Sequence, residues 1–264
     1  MRNIFIDIDG TIIDHSEHKI HENTLKALKE LSKDNILWLC TGRVYDSAKI
    51  DIGFDIDNYI CSLGSMIYRN GEMIYERPFS KEEIEEVLLA TDAYGISVTY
   101  ECAKHAYCSK MAMERTKDRR PMPFETHRDY WQEMSLYDGS KVYKLMIETG
   151  DDNVDNYERF IKEMSDRYEF CASTNKKLHL SEVSPKRVSK GNAIEVLSKI
   201  GLFKMEETLC IGDSPNDISM FEVCAYSIAM GQGYDYVKEK ADYVTDDVSN
   251  DGFYKAFKHL GLIK

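Results

Sequence analysis

The sequence has no apolar run approaching the length of a membrane span, and Asp7 interrupts the N-terminus before a signal-peptide core could form. A soluble cytoplasmic protein with no membrane partner is the expectation. Excess positive charge is also missing. The formal net charge is -12 and the isoelectric point is near 5.1, which argues against nucleic acid as the general partner. The 7 cysteines, at 40, 61, 102, 108, 171, 210 and 224, form no Cys-x-x-Cys pair, and their number is odd. Several lie inside apolar runs, as buried thiols do, so a reducing compartment without a disulfide frame follows. Internal repeats and low-complexity tracts are absent. What is there is 264 residues with 43% hydrophobic content, enough for one large domain or two modest ones.

The most telling stretch is Asp7-Ile8-Asp9-Gly10-Thr11, directly after Ile4-Phe5-Ile6. Strand alternation would put the Asp7 and Asp9 side chains on one side, and Gly10 lets the backbone break away. Two such carboxylates destabilise each other unless a cation or a shared proton lies between them. A strand ending in an Asx-type turn is the plain alternative for this segment alone. Three further clusters weigh against it. Ile36 to Cys40 is apolar and ends in Thr41-Gly42-Arg43, a hydroxyl and a permissive backbone suited to an anion. Ser189-Lys190-Gly191 opens a helical pattern carrying Ala193, Val196, Leu197 and Ile200 on one face. Thr208 to Ile211 ends in Gly212-Asp213-Ser214-Pro215-Asn216-Asp217, another strand delivering carboxylates to its end.

These motifs, in this order, resemble the haloacid dehalogenase superfamily of phosphohydrolases, in particular its Cof-type branch. The resemblance extends to Ala229-Met230-Gly231, to Lys240 through Thr245, and to Asp251-Gly252. Two departures stand out. Ser62-Leu63-Gly64-Ser65 replaces the family's usual Asn-Gly-Ala, and Arg187 stands where Gly usually precedes Val-Ser-Lys-Gly.

Strand-like runs at 4–8, 36–40, 59–62, 209–211 and 227–229 alternate with helical patterns, which implies an α/β fold with a Rossmann-like parallel sheet. Ligands in such sheets bind at the carboxyl ends of the strands, where all four polar clusters fall. Between Arg43 and Lys190 lies more chain than a crossover needs. Ser80-Lys81-Glu82-Glu83 reads as a capping box, and strand patterns at 96–101, 105–108, 142–147, 170–173 and 178–181 surround a second helix. The expected organisation is a core of residues 1–77 and 187–264, with an inserted α/β cap at 78–186. By the resemblance, the core is catalytic and the cap selects the substrate. The segment 111–138, rich in charged and aromatic residues, fits no clean period. It reads as an exposed helix or loop of the cap, or as a loop that helps select substrate.

A phosphate monoester repels nucleophiles, so a protein must neutralise it and hold attack in line, here with local cations rather than its overall field. Asp7 can attack phosphorus to form an aspartyl-phosphate, and Asp9 can protonate the leaving oxygen and then deprotonate water. Thr41 and Lys190 complete the catalytic set, with Gly10, Gly42, Arg43 and Asn216 as substrate-binding candidates. Asp7, Asp9, Asp213 and Asp217 are expected to converge on one crevice, and their oxygen-only donors suit Mg2+. The resemblance implies that Asp7 and Asp213 ligate through side chains and Asp9 through its backbone carbonyl. Asp217 would then orient water or Lys190. An EF-hand fails because its Gly falls too early, and His15, His18 and His21 suit an exposed loop better than a metal site. The expectation is a Mg2+-dependent phosphatase, monomeric or weakly homo-oligomeric, acting on small phosphorylated metabolites such as sugar phosphates or a phosphorylated cofactor. A phosphomutase with the same cap and a non-catalytic ligand-binding protein are the alternatives.

Overall fold

The structure, a computed structural model, describes residues 1–14, 16, 17, 19–119, 129–173 and 178–264. The chain opens with β1 (Asn3–Asp7), α1 (Glu22–Leu31), β2 (Ile36–Cys40), α2 (Tyr45–Ala48) and β3 (Tyr59–Cys61). A hairpin of β4 (Met66–Arg69) and β5 (Glu72–Glu76) follows. Next come α3 (Lys81–Tyr94), β6 (Ser97–Cys102), β7 (Ala106–Cys108), α4 (Lys110–Arg119) and β8 (Trp131–Glu133). After these lie β9 (Val142–Thr149), α5 (Val154–Met164), β10 (Tyr168–Ala172) and β11 (His179–Pro185). The chain closes through α6 (Lys190–Lys199), β12 (Thr208–Gly212), α7 (Ile218–Val223), β13 (Ser227–Ala229), α8 (Asp235–Lys238), β14 (Tyr243–Val244) and α9 (Gly252–His259). Two compact units result. One comprises Met1–Arg43, Ser47–Glu76 and Ser189–Lys264, the other Val44–Asp46 with Arg77–Val188.

The first unit holds an eight-stranded sheet in the order β14-β13-β12-β1-β2-β3-β4-β5. β1 is central and parallel to both neighbours, and all five of its residues are buried, which is why it reads as a continuous apolar run. Register then fixes the chemistry. Asp7 pairs with Cys40, so Thr41 comes one residue later, and Ile6 pairs with Ile211, so Gly212 and Asp213 follow at the same end. Phe5, Trp38, Leu197, Cys210 and Phe221 fill the core on one face of this sheet.

The sheet is not wholly parallel. β4 pairs antiparallel with β3, after the left-handed turn at Ser62–Gly64, and with β5, where Asn70 and Gly71 take φ of 50 and 77, the left-handed pair that a two-residue hairpin demands. That Asn-Gly signal was legible in the sequence and is absent from the parallel-sheet expectation above.

The second unit is a six-stranded sheet, β10-β11-β9-β6-β7-β8, with α3 and α5 packed through Val87, Phe160, Leu145, Ile147 and Val183. The capping box at α3 is formed: Glu83 N donates to Ser80 Oγ (3.2 Å) and Ser80 N to Glu83 Oε2 (2.7 Å). Lys144 is buried between Glu101 (3.0 Å) and Glu182, and these two carboxylates keep its ammonium charged against the cost of burial. Of the segment 111–138, Met111 to Arg119 continues α4 and Trp131 lies on β8, while 120–128 fall outside the described residues.

Candidate active site

Three strand ends and one helix start assemble the site within the first unit. Asp7 is the last residue of β1 and is buried. Its Oδ2 accepts from Thr11 Oγ1 (3.0 Å) and its Oδ1 from Lys190 Nζ (2.6 Å). Lys190 is fully buried and also donates to Asp217 Oδ1 (2.6 Å). A lysine can be held there because of its two neighbours in sequence. Ser189 caps α6 by accepting from Asn192 N (3.1 Å). Gly191 lets α6 approach α7, since a Cβ on it would lie 2.0 Å from Ser219 O. Asp217 in turn accepts from Asp213 N and Ser214 N, each at 3.0 Å, so it ties the β12 loop to Lys190.

Asp7, Asp213 and Asp217 each place a carboxylate oxygen within 4.8 Å of the others. Burial raises the Asp7 carboxyl well above the usual range, with Asp217 adding to it and Lys190 opposing. The Asp213 carboxyl is pushed up to about 7, first by burial and then by Asp217. Among the described residues Asp213 Oδ1 is buried without a hydrogen-bond partner. A buried, partnerless carboxylate oxygen facing two other carboxylates is what a hard cation would satisfy, and the donor set is all oxygen. The residues therefore fit a magnesium ion, with Asp7 and Asp213 as the side chains that would hold it.

Asp9 lies elsewhere than the sequence suggests. The strand ends at Asp7, Gly10 turns the chain with φ of 88, and Asp9 bridges to Ile13. Its carboxylate is gripped by Arg43, with Nε donating to Oδ2 (2.7 Å) and Nη2 to Oδ1. Asp7, Asp213 and Asp217 form the closest group, while the Asp9 carboxylate, paired with Arg43 and partly exposed, stands outside it yet still adds to the upward push on Asp213. The Arg43 guanidinium, a substrate-binding candidate, is engaged with Asp9. Thr41 is buried and its Oγ1 accepts from Arg43 N (3.1 Å). Asn216 is half-buried with Oδ1 accepting from Ser214 Oγ (2.9 Å). Gly42 follows Thr41 in the same turn, and Gly10 packs so closely on Asp213 that a Cβ would lie 2.2 Å from Oδ2.

Sequence reasoning missed some partners. Gln232 reaches the Gly10 carbonyl, and its only sequence signal is its place directly after Ala229-Met230-Gly231. His21 pairs with Asp14 (3.2 Å) near Glu17, and Ser16 and His21 lower the Asp14 carboxyl to about 2. His15 and His18 fall outside the described residues. In the second unit His179 bonds Asp151 (3.1 Å). The two departures from the family pattern both coincide with left-handed backbone. Ser62, Leu63 and Gly64 have φ of 48, 60 and 108, and Arg187 has φ of 61.

Comparison with known proteins agrees with this architecture. The haloacid dehalogenase-like hydrolase family model matches residues 4–257. A putative phosphatase of Bacillus subtilis is 28% identical over 99% of this chain and 98% of its own. A 5-amino-6-(5-phospho-D-ribitylamino)uracil phosphatase of the same organism is also 28% identical, covering 96% of this chain and 95% of its own. Among solved structures, a phosphatase of this superfamily from Bacteroides thetaiotaomicron superposes with a TM-score of 0.85 at 21% identity, covering 100% of this chain and 96% of that one. The chain belongs to the haloacid dehalogenase-like hydrolases and is a phosphatase of their Cof-type branch.

Proposed function

We propose, from that family membership as premise, that the protein is a Mg2+-dependent phosphomonoester hydrolase working through an aspartyl-phosphate on Asp7. The observation that carries this reading is the Asp7 carboxylate, buried at the end of the central strand and held by both Thr11 and Lys190. Held on both oxygens, it is oriented rather than merely present, as in-line attack requires.

In the first step an Asp7 oxygen forms a bond to phosphorus while the bond to the leaving oxygen breaks, and Asp9 delivers a proton to that oxygen. In the second, Asp9 takes a proton from water as the water oxygen attacks phosphorus. The bond to Asp7 then breaks and inorganic phosphate leaves. The acid role requires the Asp9–Arg43 pair to open. Lys190 and Thr41 hold phosphoryl oxygens, with Gly10, Gly42 and Asn216 as further contacts. Asp217 positions Lys190. When bound by Asp7, Asp213 and the Asp9 carbonyl, magnesium supplies charge neutralisation at the phosphoryl group. Residues 1–77 and 187–264 are read as the catalytic core and 78–186 as the unit that selects substrate. The seven free thiols suit a reducing cytoplasm, and one chain carries every group named, which fits a monomer or weak homo-oligomer.

The substrate class is a small phosphorylated metabolite, a sugar phosphate or a phosphorylated cofactor precursor. Support comes from the relative named for a phosphoribityl-amino uracil. Phosphate release from an aryl phosphate and from a panel of sugar and sugar-alcohol phosphates, with and without Mg2+, tests the reading. Turnover in excess chelator removes the metal, and dependence on an added sugar bisphosphate marks a mutase instead.

A further inference from the structure

Gln232 is exposed to solvent, yet its side-chain amide is committed on both ends. It lies in the loop after β13, and that loop is fixed before the side chain is considered. Met230 N donates to Gly212 O (2.9 Å) and Gly231 N to Asp246 O (3.1 Å). Gly231 and Gly233 fit where larger residues cannot: a Cβ would lie 2.5 Å from Asp247 Oδ1 and 2.8 Å from Asp213 O, respectively. The side chain therefore starts from a defined point beside Asp213.

Its orientation follows from donor and acceptor chemistry. Val248 N can only donate, so the amide oxygen must face it, and it does at 2.9 Å. The amide NH2 is thereby turned to the opposite side, where it finds the Gly10 carbonyl. The Asp213 carboxylate lies beside that carbonyl, because a Cβ on Gly10 would come within 2.2 Å of its Oδ2. One amide thus spans Val248 N and the Gly10 carbonyl, at the close approach between Gly10 and Asp213. The Asp7–Thr11 turn and the β12 loop come from distant parts of the sequence; the Gln232 amide bonds the first, while its neighbours Met230 and Gly233 meet the second at Gly212 O and Asp213 O.

We infer that Gln232 is a positioning residue that holds the Gly10 turn and the Asp213 carboxylate in register for a divalent cation. The inference rests on the proposed metal site and deepens it. Partners of this kind around a ligating carboxylate are worth about 10- to 100-fold in metal affinity. Because the residue is exposed and packs little apolar surface, its replacement should weaken the cation far more than the fold.

The test uses full-length protein stripped with chelator, and magnesium chloride as the probe, followed by isothermal titration calorimetry at pH 7.5. Gln232→Met keeps length and shape but loses both ends of the amide. It is expected to bind Mg2+ at least tenfold more weakly, with a metal-free unfolding temperature close to wild type and with turnover restored by high Mg2+. Lys238→Met, which alters the same loop where Nζ reaches Gly231 O (3.4 Å), should change neither quantity. Affinity within threefold of wild type overturns the inference. So does a loss matched by an equal fall in metal-free stability, which would make Gln232 a structural residue. If wild type itself binds no Mg2+, the metal assignment fails instead, so the two failures are distinguishable.

Discussion

Magnesium affinity should rise steeply with pH, and the structure sets the window. The Asp213 carboxyl is pushed up to about 7 by burial and by Asp217, while an unfolded chain would ionise it near 3.9. A cation binds the ionised carboxylate, so below pH 7 it must displace a proton. For one group ionising at about 7, the ionised fraction grows from about 1% at pH 5 to about 90% at pH 8. Apparent Mg2+ affinity should therefore climb roughly 90-fold across that range, or about 2.7 kcal/mol. Asp7, also raised by burial, adds to the proton release wherever it is protonated in the metal-free protein.

The sign for stability follows from the same linkage. A carboxyl whose folded value is raised keeps a proton between about pH 4 and 7 that the unfolded chain has already lost. The metal-free protein should therefore lose stability as pH rises through that window, by a few kcal/mol at most. A cation held only by the folded site stabilises it by mass action, so on the proposed reading the unfolding temperature that magnesium adds should grow over the same interval. Calorimetric titration in two buffers of different ionisation enthalpy counts the protons directly, with at least about one expected per Mg2+ at pH 6. Equal affinity at pH 5.5 and 8, or no proton release at pH 6, would refute the assignment of a buried, proton-bearing Asp213 to the cation.

Asp7→Asn should fold and lose turnover by roughly 10³-fold or more, since an amide is not a usable nucleophile here; steady-state activity within tenfold of wild type would exclude Asp7 from that role. Gly10→Ala meets two obstacles, a φ of 88 and a Cβ 2.2 Å from Asp213 Oδ2, and should cut both activity and Mg2+ affinity by at least tenfold in calorimetry and phosphate-release assays. Arg187→Gly relieves a left-handed arginine at φ of 61, so thermal unfolding should show a gain of about 0.5–1 kcal/mol; no gain would mean that the exposed arginine makes contacts worth as much as the strain. Lys190→Met leaves Asp7 and Asp217 without their buried counter-charge and should cost about 3–5 kcal/mol in urea unfolding at pH 8, with a smaller loss at pH 5.5, where Asp7 can take up a proton.

Much of the site was legible because it is local chemistry attached to strand ends. Asp7, Thr41, Asp213 and Lys190 each follow an apolar run or open a helical one, and those patterns survive in a single sequence. What joins them does not. The pairing of Ile6 with Ile211 and of Asp7 with Cys40 decides which side chains become neighbours, and register between distant strands leaves no trace in either strand alone. Gln232 was illegible for the same reason: its partners, Gly10 and Val248, lie far from it or on the next turn of an irregular loop. The hairpin at Asn70-Gly71 was written plainly; β4 buries Met66, Ile67 and Tyr68, but β5 is exposed or half-buried along its length and carries no buried apolar face to announce it.

Asp9 is the instructive failure. Alternation places residues i and i+2 on one side only while the chain remains a strand, and β1 stops at Asp7. Past that point the left-handed Gly10 and the bridge from Asp9 to Ile13 redirect the second carboxylate toward Arg43. The result is a physical division between two acids only two residues apart. Asp7 is buried among carboxylates with Lys190 as its counter-charge, while Asp9 is partly exposed with a guanidinium of its own. Had Asp9 joined the cluster, four carboxylates would have faced a single ammonium, and each added like charge disfavours ionisation of the rest. Sending Asp9 to Arg43 leaves Asp7 the more readily ionised and keeps the second acid where solvent protons can reach it. Under the proposed mechanism a nucleophile must carry a charge and an acid–base must exchange a proton, and the turn at Gly10 gives the two carboxylates different surroundings.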